Sequence, residues 1–316
     1  MRALGKPAAA GILALVASLL WASYYLFVLY LDPRMGPAGL LTYPFLFGGL
    51  GYFVLTVGEG HGRLLLQLWR DPSAYLRMGL LYGMQVGVLA STYTAGAVDT
   101  SLLSLLGDVT LTPILVMLLL HQATDRARSP VFWTGVVLST GGAALTILGG
   151  QSAPALQGAA WLVAPVVPLA VAFYFLLTAQ ANVRLPGSAV VAHATLGAAV
   201  LGALTSPWLP GGAAGLGIAN PTDLVLVAGL GVTSFFLGPY LYFRAIEWAG
   251  LLLPALLMAT IPVFTLFLAL AAFHTAPVLL GLLGIPVAVL GAALALRGSH
   301  PGWTPRYAAE GSSSGK

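Results

Sequence analysis

The sequence predicts an all-α polytopic membrane protein: ten transmembrane helices arranged as two inverted five-helix repeats. Three observations predict it. The 316 residues are 59% hydrophobic and only 7% charged, whereas a soluble domain carries about 25% charged residues. A chain so poor in charge cannot keep a solvated surface, so lipid is its solvent. Ten apolar segments each approach the ~20 residues that a spanning helix needs. Finally, with ten spans, twelve of the thirteen Lys and Arg residues fall on one side and only Arg34 on the other. Short loops rich in Lys and Arg stay cytoplasmic, so both termini are predicted to be cytoplasmic.

In chain order the predicted spans are 8–31, 36–58, 74–97, 101–121, 131–149, 157–181, 188–209, 222–243, 250–273 and 276–297. The first follows a basic start (Arg2, Lys6) and exceeds the roughly 7–15 apolar residues of a signal peptide, so it is read as a membrane helix. The breaks carry turn chemistry: Asp32-Pro33-Arg34, Arg70-Asp71-Pro72, Asp125 to Pro130, Gly149 to Pro154, Leu185-Pro186-Gly187, Pro210-Gly211-Gly212 and Asn220-Pro221. The break before the tenth span, His274-Thr275-Ala276-Pro277, is the weakest, and the cytoplasmic Arg297 supports it. On span three Gly79, Gly83 and Gly87 form a ladder of small residues, read as close helix packing, with a dimer face as the alternative. Spans five and ten, rich in Gly and Ala, read as scaffold walls or an oligomer surface. Residues 301–316 form a cytoplasmic tail whose Ser/Gly-rich end, 311–316, reads as a remnant of cloning.

Composition also excludes. With no cysteine, there is no disulfide, thiolate metal site or cysteine nucleophile. The net charge of +4 is spread over loops as a topology signal and predicts no nucleic-acid partner. There is no HExxH, GxSxG, phosphate-binding loop or dinucleotide fingerprint, so no enzyme, cofactor or metal is predicted, and ATP does not drive this chain directly.

The chain repeats itself. Leu15-Val16-Ala17 returns as Leu162-Val163-Ala164, each about eight residues from an aromatic pair, Tyr24-Tyr25 or Phe173-Tyr174. Thr110-Leu-Thr-Pro113 returns as Ala259-Thr-Ile-Pro262, each proline read as lying in mid-helix. The triplet offset is 147 residues and the proline offset 149. Two units follow, 1–150 and 151–300. Five spans per unit turn the second unit upside down, an arrangement that secondary transporters share, with the substrate near the midplane on interrupted helices.

These residues resemble the drug/metabolite transporter superfamily, with its EamA-like units of five helices. The resemblance lies in Trp21-Ala22-Ser23-Tyr24-Tyr25, in 95–120, and in Tyr242-Phe-Arg-Ala-Ile-Glu-Trp-Ala-Gly250 running into 251–273, and it covers about 290 residues. His121-Gln122 and His274-Thr275 stand where the family commonly has Gly-Glu. Low charge and many polar aromatics resemble most the YddG-type aromatic amino-acid exporters. That resemblance implies efflux of amino acids, aromatic and other neutral ones, across a bacterial inner membrane, with export of another small metabolite or drug by the same fold as the alternative.

The candidate substrate residues are Trp21, Tyr24, Tyr82, Gln85, Tyr93, Asp108, Tyr174 and Tyr240. Trp21 and Tyr24 lie too deep for an interfacial belt, and Gln85 needs hydrogen-bond partners near mid-bilayer. Asp108 lies roughly 10 Å inside span four at 1.5 Å per residue. An acidic group there costs about 2.5–3.5 kcal/mol on insertion scales. It serves either as a cavity group for an ammonium or a proton, or as a carboxyl bonded to nearby threonines. Pro113, Pro165, Pro168, Pro239 and Pro262 each remove a backbone hydrogen bond, as kinks, hinges or gates. His193 is read as a satisfied packing histidine. Trp69, Trp133, Trp208 and Trp248 are read as interfacial anchors. Spans one, three, four, six, eight and nine are expected around a central cavity, with five and ten outside it. The partners are a small-molecule substrate and the lipid bilayer, in a monomer or weak homodimer.

Overall fold

The computed structural model describes residues 6–95, 100–101, 103–104, 106–111, 114–115, 129–149, 166–182, 184–218, 220–249, 254, 257–258, 260–274 and 279–297. Every regular element among the described residues is helical, and the helices are apolar, as a membrane protein requires. They are α1 (Lys6–Gly58), α2 (Gly62–Leu68), α3 (Pro72–Ala95), a π-helical turn (Leu106–Leu111), α4 (Pro130–Gly149), α5 (Val166–Asn182) and α6 (Gly187–Thr205). A second π-helical turn (Gly231–Leu237) joins α7 (Pro221–Leu230) to α8 (Gly238–Ala249), and α9 (Ile261–Phe273) and α10 (Leu279–Arg297) follow. Three helices among the described residues are long and apolar enough to cross a membrane: Ala8–Gly58, Gly187–Trp208 and Pro221–Trp248.

The first of these is a hairpin. Gly36 has φ 66° and ψ 176°, a left-handed value that suits glycine, and Pro33 and Pro37 flank it. Its arms, 6–35 and 37–58, correspond to the first two predicted spans. One ring touches both: Phe235 lies 5.6 Å from Tyr24 and 4.7 Å from Phe45. At the hairpin tip Arg34 sits 4.1 Å over the Tyr30 ring and 3.2 Å from Asp223, at the start of α7. The Tyr43 hydroxyl donates to the Leu216 carbonyl at the same end.

Capping chemistry sets other boundaries. Asp71 precedes Pro72 and accepts from the Ser73 amide at 2.9 Å, starting α3. Asn220 accepts from the Thr222 amide at 2.9 Å, with Pro221 in the first turn of α7. His274, left-handed at φ 53°, closes α9, and its amide donates to the Leu270 carbonyl at 3.1 Å. That chemistry makes the weakest predicted break a real helix end.

The core is built by both halves. Ala17, Val28 and Leu31 of α1 pack with Val88 of α3, Val167 and Val171 of α5, Leu230 of α7 and Ile261 of α9. Apart from this core stands the α4–α10 pair, a seam of small residues. A Cβ placed on Gly135 would lie 2.1 Å from the Ala295 amide nitrogen, and one on Gly142 would lie 2.2 Å from that of Ala288. One on Gly284 would meet Thr146, and one on Gly291 would meet Ser139. The contacts run in opposite senses, so the two helices are antiparallel. A constant 149 residues separates 135 from 284, 139 from 288, 142 from 291 and 146 from 295.

Three readings are corrected. Gly79 and Gly83 face open space, and of their ladder only Gly87 packs closely, against Val167. Gly79 and Gly83 point away from the faces of α3 that meet other helices. Pro262 stands in the first turn of α9 rather than in mid-helix, because the chain turns at Thr260. There the missing N–H is no loss. His193 packs edge-on to Trp69 at 4.5 Å, yet neither ring nitrogen has a hydrogen-bond partner among the described residues, so it is buried but not satisfied. Trp69 and Tyr75 pack against its ring, and the Arg77 and Asp71 charges stand nearby without reaching its nitrogens.

Candidate functional site

A cavity opens where the two halves meet. Its empty space, with the open solvent at its mouth counted in, is roughly 860 Å³. The first half supplies Trp21, Tyr24 and Tyr25 from α1, Leu81, Met84, Gln85 and Val88 from α3, and Ser104. The second half supplies Val171, Tyr174 and Phe175 from α5, and Val191 and Thr195 from α6. It also supplies Ser234, Phe235, Pro239 and Phe243 from the helix containing the second π-turn, and Ile261 from α9. Neither α4 nor α10 contributes a lining residue among those described. No Asp, Glu, Lys, Arg or His lines the cavity among the described residues.

The second π-turn builds one wall. There the Gly238 amide donates to the Thr233 carbonyl, five residues back. Pro239, next in line, has no N–H, so the Ser234 carbonyl loses its intrahelical donor. Trp21 Nε1 supplies the replacement at 2.9 Å, and the Ser234 hydroxyl donates back to the Leu20 carbonyl at 3.3 Å. Trp21 is thus pinned in the wall, with its ring 5.5 Å from Tyr242. Where the chain turns at Thr260, side-chain hydroxyls add to the backbone bond from the Thr260 amide to the Leu257 carbonyl at 3.0 Å. The Leu257 carbonyl accepts from the Thr260 hydroxyl at 2.6 Å and from Ser18 at 3.0 Å.

Two lining groups remain open. Gln85 is 2% exposed and its Nε2 has no hydrogen-bond partner among the described residues. The Tyr24 hydroxyl is likewise buried and unpartnered. A buried polar group without a partner costs about 1–3 kcal/mol, so the cavity holds two polar groups that a ligand can satisfy. By contrast, Tyr25 donates to Ser104 Oγ at 3.0 Å.

Of the sequence-predicted residues, Trp21, Tyr24, Gln85, Tyr174 and Pro239 line the cavity. Tyr82 is nearby on α3 but pairs with Thr205 Oγ1 at 2.5 Å. Pro168 is buried on α5, its carbonyl close against Gly107 in the first π-turn. Tyr240 faces away, stacked on Phe236 at 6.2 Å with the Arg244 guanidinium 5.5 Å over its ring. Pro113 and Pro165 lie outside the described residues, as do the side chains of Tyr93 and Asp108. The backbone of Asp108 lies in the first π-turn. Sequence reasoning missed Phe175, Phe235 and Phe243, which form the apolar wall. Their signal was only an aromatic residue on a helix, and every helix here has several. No group of three or more His, Asp or Glu among the described residues is placed to hold a metal ion.

The half of the chain that supplies α5 to α10 has a recognisable sequence. Residues 158–297 match the EamA-like transporter family. The EamA-like region ends with the last residue of α10. A solved structure described only as a crystal structure of a protein shares the fold, with a TM-score of 0.68 over 92% of this chain and 98% of that one. The two are 19% identical, so the likeness speaks for the fold alone. No curated protein matches the chain.

Proposed function

We propose that this chain is a secondary transporter of ten spans in two inverted five-helix repeats, and that it exports amino acids, aromatic and other neutral ones, from a bacterial cytoplasm by alternating access. The observation that carries the cargo is the cavity itself. It has aromatic walls, no charged side chain among the described residues, and two buried polar groups awaiting partners, Gln85 Nε2 and the Tyr24 hydroxyl. Phe175, Phe235 and Phe243 take an apolar side chain, and Gln85 donates to the carboxylate. Asp108, on its π-turn, receives the ammonium, and Tyr93 lies on the same helix as Gln85.

The inverted repeat draws support from the α4–α10 seam. Equivalent positions 149 residues apart meet reciprocally: Gly135 with Ala295 and Thr146 with Gly284, Gly142 with Ala288 and Ser139 with Gly291. Such pairing is what a two-fold axis through the seam produces. In that arrangement the seam is the fixed frame, and the helices bearing Pro113, Pro165, Pro168, Pro239 and Pro262 bend around the cavity. In this reading both termini lie in the cytoplasm and the protein sits in the inner membrane, a reading that the charge segregation of the sequence supports.

Uptake into proteoliposomes of a panel of labelled amino acids, with and without a pH gradient, tests the reading. Saturable transport of an aromatic amino acid is the expected result. Failure of every amino acid beside saturable transport of another neutral metabolite would keep the carrier and overturn the cargo.

A further inference from the structure

Below the cavity, the seam between α3 and α5 carries buried polar groups that its walls leave open. The two helices lie antiparallel, Gly87 against Val167 and Leu81 in one cluster with Tyr174. One turn further down, this register sets Arg77 level with Thr178, and the next sets Ser73 level with Asn182. Gln85, Leu81 and Arg77 recur every four residues on α3, and Tyr174, Thr178 and Asn182 do so on α5, so each set shares a face. Arg77 lies about 12 Å below Gln85 at 1.5 Å per residue. This is the end of the bundle that carries Arg63, Arg70 and Arg184.

Arg77 is no ordinary topology residue. It is 3% exposed, whereas an arginine at a helix end usually reaches into water. Its Nη1 donates to Ser73 Oγ at 3.0 Å. Its Nη2 stands 3.5 Å from Asp71 Oδ2 and makes no hydrogen bond among the described residues. Asn182 Oδ1 on the facing helix also lacks a partner there. A buried guanidinium held by Ser73 and, loosely at 3.5 Å, by Asp71 keeps N–H donors for a second carboxylate, and an amide oxygen on α5 suits an ammonium.

We propose that the α3–α5 seam is the route from the cytoplasmic face to the cavity, with Arg77 as an intake site that recognises the carboxylate of the cargo before Gln85 does. This rests on the reading of the chain as an amino-acid exporter. The groups that face Arg77 are Asp71 and Ser73 from its own helix start, the Tyr174–Asn182 face of α5 and His193 of α6. Opening the seam exposes Thr178, which is 1% exposed with the seam shut.

The absence of cysteine in the chain makes the test direct. Thr178→Cys is probed in inside-out vesicles with a membrane-impermeant maleimide, and it is expected to react. In transport from the cytoplasmic face, Arg77→Gln is expected to raise KM for a transported amino acid about tenfold or more, with kcat within about twofold. The KM of the same compound as its uncharged-carboxyl amide stays unchanged, and Arg77→Lys recovers part of the loss. A Thr178→Cys thiol unreactive under every condition overturns the route. An Arg77→Gln change that raises KM for acid and amide alike overturns the carboxylate site. Should the unaltered protein move no amino acid, the cargo reading fails instead, and the labelling alone decides the route.

Discussion

The α4–α10 seam and the cavity are built from opposite materials. In the seam, Gly135, Gly142, Gly284 and Gly291 let two backbones touch, and Thr146 satisfies itself on the Gly142 carbonyl at 3.0 Å. In the cavity, large rings line the space between the helices, one helix is locally rewound into a π-turn, and Gln85 and Tyr24 keep polar atoms unpaired. In lipid, helices associate by close packing and interhelical hydrogen bonds rather than by a hydrophobic drive. The seam maximises that packing. The cavity forgoes it. The open polar atoms of Gln85 and Tyr24 belong to side chains that line empty space, the pattern expected where a ligand completes the packing. The Ser139 hydroxyl, also without a partner among the described residues, belongs instead to a residue packed against Gly291.

The hardest test of this contrast uses two neighbouring glycines on α4. A side chain on Gly142 collides with the backbone of Ala288, and no rotamer relieves a clash between main chains. Gly142→Leu is expected to destabilise by about 3 kcal/mol or more, the upper end for overpacking, read as loss of thermal stability in detergent. Gly141 meets nothing within 4 Å, and Gly141→Leu is expected to stay within about 0.5 kcal/mol. Equal losses in the two variants would remove the distinction between seam and surface.

In the cavity the sign reverses. Gln85→Leu removes a buried amide whose Nε2 has no partner, so the folded protein is expected to gain about 1 kcal/mol. Transport is expected to fall about tenfold, since one hydrogen bond to a charged cargo is lost. Thermal unfolding and initial uptake rates on the same preparation check both halves. A variant that loses stability and transport together would make Gln85 a structural glutamine.

These differences also mark what could be read in advance. The spacing of 147–149 residues was visible in Leu15-Val16-Ala17 and in Pro113, and the seam repeats that offset of 149. The seam itself was not foreseen, because Gly and Ala mark close approach without naming the partner helix. On the cavity side, Trp21, Tyr24 and Gln85 were legible because a polar or amphipathic group deep in an apolar helix demands a reason. Tyr240 was misplaced for a geometric cause. Tyr240 stands beside Pro239 in sequence, but the π-turn at Gly231–Leu237 winds more residues into each turn and so changes which face Tyr240 takes. Only Pro239 hinted at that rewinding. Arg77 read only as a cytoplasmic topology charge at the start of span three, because periodicity does not show that α5 and α6 bury the start of α3.

The smallest expected effect lies outside both regions, at the start of α3. The Ser73 hydroxyl, first, then the Ser73 amide and the Arg77 guanidinium hold the Asp71 carboxyl below its ordinary value of 3.8. A carboxyl lowered by folding adds stability that is fully present above that ordinary value. It is lost as pH falls through the lowered one, because the folded state then binds the proton less readily than the unfolded chain. Asp71→Asn keeps an acceptor for the Ser73 amide but cannot ionise. The thermal-stability gap between Asp71→Asn and the unaltered protein is therefore expected to hold steady at neutral pH and to narrow below about pH 4. The deficit of Gly142→Leu should show no such slope, since Gly, Ala, Ser and Thr of the seam do not titrate there. A gap for Asp71→Asn that stays flat into acid would mean that its carboxyl is no better held in the folded protein than in the unfolded chain.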